Sequence, residues 1–196
     1  EVASAMAIEL FARRMRAARG LPEDTLRDAL ECANMAIYHA AARDADKRGM
    51  GTTFTAVWMG AGEAYLAHVG DSRAYLLRDG RLLRVSRDHT LVEELVAHGH
   101  LTREQAKTYP HRNYITRALG VNATVQPDIL RLDWLEGDVC LLCSDGLTNE
   151  VEEKDIERVL KGAGEYGEKL SRIARMALEH GGRDNITGVL VTTEED

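Results

Sequence analysis

The chain lacks the marks of several protein classes. Its 196 residues include three cysteines, Cys32, Cys140 and Cys143. Three is too few, and too odd, for a disulfide scaffold, so a reducing compartment, the cytoplasm, is expected. No apolar run approaches the ~18 residues of a membrane span, and no membrane partner is expected. The opening residues lack the pattern of a signal peptide, because Arg13, Arg14 and Arg16 follow the apolar stretch instead of preceding it. Basic residues are also in deficit. Lys and Arg number 25 against 32 Asp and Glu, a net charge of −7. A nucleic-acid partner would demand a basic face, so none is expected. P-loop, internal repeat, linker and low-complexity tract are all missing.

What is present suits one sizeable globular core, with 44% hydrophobic and 29% charged residues. Ala7, Phe11, Met15 and Ala18 recur at helical spacing, with Glu9, Arg13 and Arg16 between them. Gly20 ends that helix and Pro22 suits the first turn of the next, which carries Leu26, Leu30, Ala33, Ile37 and Ala40. So short a connection predicts an antiparallel helix pair. After Gly49, Met50 and Gly51 the period changes. Residues 52–59 and 63–69 read as strands turned at 60–62, and 73–86 reads as a hairpin around Asp79-Gly80. Residues 87–112 are polar, carry His89, His98, His100 and His111, and hold a capping box at Thr102 and Gln105. They read as an insertion able to act as a lid. Strands follow near 125–132 and 139–143, then a second helix pair with Ile156, Val159 and Leu160 on one stripe and Leu170, Ile173, Ala174, Ala177 and Leu178 on the other. A last strand spans 185–193. Sheet residues flanked by helix pairs predict a layered α+β sandwich.

Three aspartates share one context. Asp71, Asp145 and Asp184 each sit where an apolar strand meets a loop, beside Gly70, Gly146 and the pair Gly181-Gly182. Carboxylates fixed at strand ends on one rim suit a hard divalent cation, which prefers oxygen ligands and relieves their mutual repulsion. Each also has a bland reading: Asp71 as a turn cap, Asp145 as an Asp-Gly turn, Asp184 as the partner of Arg183. Other candidates are weaker. The Cys140-x-x-Cys143 pair lies in a strand-like run, where residues three apart face opposite sides. His98-x-His100 has no third zinc ligand at fitting spacing. Ser72 and Ser144 have no adjacent histidine base. The segment GMGTTF, residues 49–54, precedes a strand and so is no dinucleotide loop.

Six segments occur in order: GMGTTF (49–54), HVGDSRAYLLRDG (68–80), SRDHTLVEELVAHGHLT (86–102), NYITRALG (113–120), LLCSDGLTNEV (141–151) and GGRDNITGVLV (181–191). Together they closely resemble the metal-dependent protein serine/threonine phosphatases of the PPM (PP2C-type) family, bacterial branch, over nearly the whole chain. The resemblance implies one domain, 1–196, folded as a four-layer α/β/β/α sandwich of two antiparallel sheets flanked by helix pairs. It implies two core Mg²⁺ or Mn²⁺ ions, a third, weaker one, and direct attack on phosphorus by a water bridging the core pair. By motif match Asp145 and Asp184 are ligands of a core metal, and Asp71 of the third, shared with Asp145. Asn185 and Gly146 shape the loops around them. Residues 87–112 correspond to the family's flap. The implied partners are phosphoserine and phosphothreonine proteins, a Ser/Thr kinase and its targets, met by a monomer. No substrate-binding residue is assigned.

The family's pattern also has an N-terminal segment, with a phosphate-gripping Arg and a D-G-x-G-G stretch that bridges the core metals, which is not found here. The start at Glu1 and not Met points to trimming, and these 196 residues alone are expected to be weakly active or inactive. Two other readings are a non-catalytic regulatory or binding module and a sporulation or stress-type phosphatase acting on an anti-sigma-factor antagonist. Three intact aspartates argue against the first, and the developed 87–112 insertion against the second.

Overall fold

The structure, a computed structural model, describes residues 1–17, 20–60 and 63–193. Ala18 of the first helical stripe and most of the turn expected at 60–62 lie outside the described residues. The chain divides into two compact units, 1–71 with 88–133, and 72–87 with 134–196.

The first unit holds helices α1 (Val2–Ala17) and α2 (Pro22–Arg43), strands β1 (Phe54–Gly60), β2 (Glu63–Val69) and β5 (Asp128–Leu132), and short helices α3 (Leu91–Ala97) and α4 (Arg103–Lys107). Its sheet has the order β1-β2-β5 and is antiparallel throughout. Central β2 is buried from Ala64 onward, His68 included. The helix pair packs on this sheet: Leu26, Leu30 and Ile37 of α2 meet Phe54, Tyr65, Ala67 and Val69. Each such fully buried side chain contributes about 1.5–3 kcal/mol. The capping box forms as read, Thr102 Oγ1 accepting from the Gln105 N–H and Gln105 Oε1 from the Thr102 N–H.

The second unit holds β3 (Arg73–Arg78), β4 (Arg81–Arg84), β6 (Val139–Cys143) and β7 (Gly188–Thr192), with α5 (Asp145–Thr148), α6 (Glu153–Lys161) and α7 (Tyr166–Glu179). Its antiparallel order is β4-β3-β6-β7. The β3–β4 turn has φ of 50° at Asp79 and 70° at Gly80, the left-handed pair that a two-residue hairpin demands. Ile156, Val159 and Leu160 of α6 and Ile173 and Ala177 of α7 pack on Tyr75, Val139 and Leu141. The fold is therefore α+β, with two antiparallel sheets and a helix pair against each.

Three strand starts differ from the sequence reading. β1 starts at Phe54, because Thr52 pairs its N–H and C=O with Leu119 instead. β5 starts at Asp128, one residue after Pro127, which has no N–H for a ladder. β7 starts at Gly188, because the residues before it are bonded to Ser144. The 70–72 link is hairpin-short, yet β2 and β3 belong to different sheets. No described helix is long and apolar enough to cross a membrane.

Candidate metal centre

Strand β6 lies between β3 and β7 and runs directly into Ser144 and Asp145. Ser144 anchors this junction through three bonds. Its N–H donates to the Thr187 carbonyl at 3.0 Å. Its Oγ donates to the Asn185 carbonyl at 2.9 Å and accepts from the Thr187 N–H at 3.0 Å. The turn expected at Asp145-Gly146 is in fact the first turn of α5, entered from an extended Ser144. Asp145 Oδ2 accepts from Asn149 Nδ2 at 3.1 Å, and its carbonyl accepts from the Asn149 N–H at 2.7 Å, so one residue holds both ends of the aspartate.

Gly146 brings the second aspartate alongside. A Cβ there would lie 2.5 Å from the Asn185 carbonyl oxygen and 3.3 Å from the Asp184 carbonyl carbon. Both neighbours are backbone and cannot swing away. Only glycine lets the start of α5 touch the 184–185 loop, and that contact sets Asp145 and Asp184 on adjoining turns. Asp184 is exposed, and its Oδ1 accepts from the Asn185 N–H at 2.7 Å. The partner proposed for it on sequence grounds, Arg183, turns instead to Glu150 Oε1 at 3.4 Å. The Glu150 carbonyl also accepts from His180 Nδ1 at 2.8 Å, tying the end of α5 to the end of α7. Sequence reasoning singled out neither Glu150 nor the structural use of Ser144.

Asp71 belongs to the first unit. It is half-buried and follows Gly70, whose φ is 115° and whose Cβ, if present, would meet Thr53 Cγ2 at 2.4 Å. The structure thus joins Asp145 and Asp184 within one unit and puts Asp71 in the other. Among the described residues, no group of three or more His, Cys, Asp or Glu side chains is placed to hold a metal ion. His98 and His100 stack at 6.3 Å on the insertion, with His98 Nδ1 on the Glu94 carbonyl. Cys140 and Cys143 are buried free thiols, and burial pushes the Cys140 thiol up to about 12, away from reactive thiolate chemistry.

The donor set suits a hard cation. A carboxylate offers about four acceptor sites, and the bonds from Asn149 and Asn185 take one on each aspartate. Two carboxylates on adjoining turns match the way Mg²⁺ and Mn²⁺ bind, through one or two protein carboxylates with retained water.

Comparison with known proteins points the same way. The sequence model of the protein phosphatase 2C family matches residues 1–190. The chain is 38% identical over 196 residues to the serine/threonine phosphatase Stp of Listeria welshimeri, covering 97% of this chain and 78% of that one. The crystal structure of the Mycobacterium tuberculosis serine/threonine phosphatase PstP/Ppp superposes with a TM-score of 0.91 at 37% identity, over 99% of this chain and 82% of that one. The PstP catalytic domain in complex with two manganese ions gives a TM-score of 0.85 at 37% identity, over 96% and 79%.

Proposed function

This chain belongs to the protein phosphatase 2C family, and from that membership we propose that it is a metal-dependent phosphoprotein phosphatase that hydrolyses phosphoserine and phosphothreonine. Asp145 and Asp184 are the residues that would hold a core Mg²⁺ or Mn²⁺. Asp71 would be the ligand of a third ion, as the family resemblance implies. Bound there, the metal supplies Lewis-acid chemistry, acidifying water and neutralising charge on a phosphoryl group. The protein's own residues set the stage for it. Ser144 fixes the β6–α5 junction, Asn149 orients the Asp145 carboxylate, and the Asn185 N–H orients that of Asp184.

The observation that carries this reading is the contact of the Gly146 turn with the 184–185 loop, stitched by Ser144. Two acidic turns held together suit a metal site better than a regulatory module without catalysis. The exposure of Asp184 and Asn185 suits a phosphoester carried on another protein better than an enclosed small molecule. Residues 87–112 act as the flap that influences substrate choice within a single domain, 1–196. The enzyme works as a cytoplasmic monomer on a Ser/Thr kinase and its targets. The test is phosphate release from a phosphothreonine peptide by the full-length protein carrying this sequence. Release that EDTA stops, Mn²⁺ restores and Asp184→Asn removes supports the proposal. No release in any divalent metal leaves the binding-module reading instead.

A further inference from the structure

His89 is among the least exposed polar residues of the chain, at 2%, although it lies in a polar stretch. Its surroundings explain this. The Gly70 N–H donates to His89 Nδ1 at 3.1 Å, and the His89 N–H donates to the Gly70 carbonyl at 2.7 Å. One residue therefore takes both backbone polar groups of the glycine that precedes Asp71. Because Nδ1 accepts, the ring proton lies on Nε2, which faces Asp128 Oδ2 at 3.2 Å. Arg117 Nη1 sits 3.2 Å from the same Nε2, a donor opposite a donor, and the conflict is resolved through Asp128, whose Oδ1 accepts from Arg117 at 3.0 Å. Bonds from His89 and Arg117 outweigh burial and hold the Asp128 carboxyl below the usual carboxylate range. The β2–β5 register places His68 opposite Asp128, and the His68 and His89 rings lie 4.9 Å apart.

His89 is also the stem of the 87–112 insertion. Its carbonyl accepts from the Thr116 N–H at 2.8 Å, and its neighbour Thr90 bridges to Ile115. The geometry points to His89 as a positioning residue that ties the base of the insertion to the Gly70-Asp71 peptide and so sets where the Asp71 carboxylate stands. This rests on the reading of Asp71 as a metal ligand, and the test separates the two.

Two substitutions split the histidine's bonds. His89→Asn keeps an acceptor near Nδ1; His89→Gln keeps a polar group near Nε2 and removes the acceptor. The first readout is Gly70 amide exchange in the metal-free full-length protein. His89→Gln speeds it about tenfold or more, while His89→Asn stays within about threefold of wild type. The second is the Mn²⁺ concentration that gives half-maximal rate. His89→Gln raises it about tenfold, the usual scale for losing a residue that orients a ligand. In an Asp71→Asn background the two variants become equal. Equal Gly70 exchange in the Asn and Gln variants overturns the positioning role. So does a Gln effect on Mn²⁺ dependence that persists undiminished without Asp71. If Asp71→Asn alone leaves Mn²⁺ dependence unchanged, the ligand assignment falls, and Gly70 exchange alone decides what His89 holds.

Discussion

The Ser144 hydroxyl donates to the Asn185 carbonyl at 2.9 Å across 41 residues of sequence, and through this bond the two loops that carry Asp145 and Asp184 become one structure. Removing it separates stability from metal binding in a measurable way. Ser144→Ala leaves the Asn185 carbonyl and the Thr187 N–H without that partner. It costs about 1–2 kcal/mol. Urea unfolding of the metal-free protein reads the loss, and Mn²⁺ titration reads the accompanying fall in affinity.

Gly146→Ala forces a methyl group against the Asn185 carbonyl, 2.5 Å away. Overpacking against rigid backbone costs about 1–3 kcal/mol. The 184–185 loop must shift, so Mn²⁺ affinity falls as well. Gly167 in α7 is the control. Nothing lies within 4 Å of its Cβ position, and its backbone is helical. Gly167→Ala should stabilise the protein by about 0.5–1 kcal/mol and leave Mn²⁺ binding alone. Thermal unfolding of the two variants side by side checks both signs.

Acid stability depends on a pair remote from the metal-binding turns. Asp138 is buried and takes the Arg78 guanidinium in two bonds, at 2.9 Å and 2.6 Å, with a third from the Leu135 N–H at 2.8 Å. Burial alone would raise its carboxyl; the Arg78 and Leu135 bonds outweigh burial and hold it below the usual range. A carboxylate with a lowered folded pKa stabilises the fold above its unfolded value of about 3.9, and that contribution is lost as pH falls through the folded pKa. Asp138→Asn should therefore destabilise the protein at pH 7 by about 3 kcal/mol, and flatten the stability curve on the acid side. Denaturant unfolding at several pH values tests this; an unchanged acid slope would contradict it.

How much of this was legible in the sequence depended on the range of the interactions. Strand 139–143 showed as an unbroken apolar run and 63–69 as a stretch apolar on both faces, and the structure returns them with those limits. Asp79-Gly80 and the Thr102–Gln105 box are local codes and also appear as read. Helix α5 escaped because four residues are too few to show a period. The sheet change at 70–72 escaped because its length matches a hairpin, and the close approach of Thr53 to Gly70 is made by a distant part of the chain. The burial of His89, in a segment read only as polar, escaped because its partners Gly70 and Asp128 lie far off in sequence, brought near by the β2–β5 pairing. The three aspartates were found by context and family resemblance. What joins Asp145 to Asp184 is long-range contact, which no spacing displays.

The most direct measurement is the initial rate of aryl phosphate hydrolysis by the full-length protein over a Mn²⁺ series, wild type beside Asp145→Asn. A saturable Mn²⁺-dependent rate is expected in the wild type and a loss of about 10³-fold or more in the variant, with its fold retained by circular dichroism. A variant that keeps the wild-type rate and the wild-type Mn²⁺ dependence would remove Asp145 from the site.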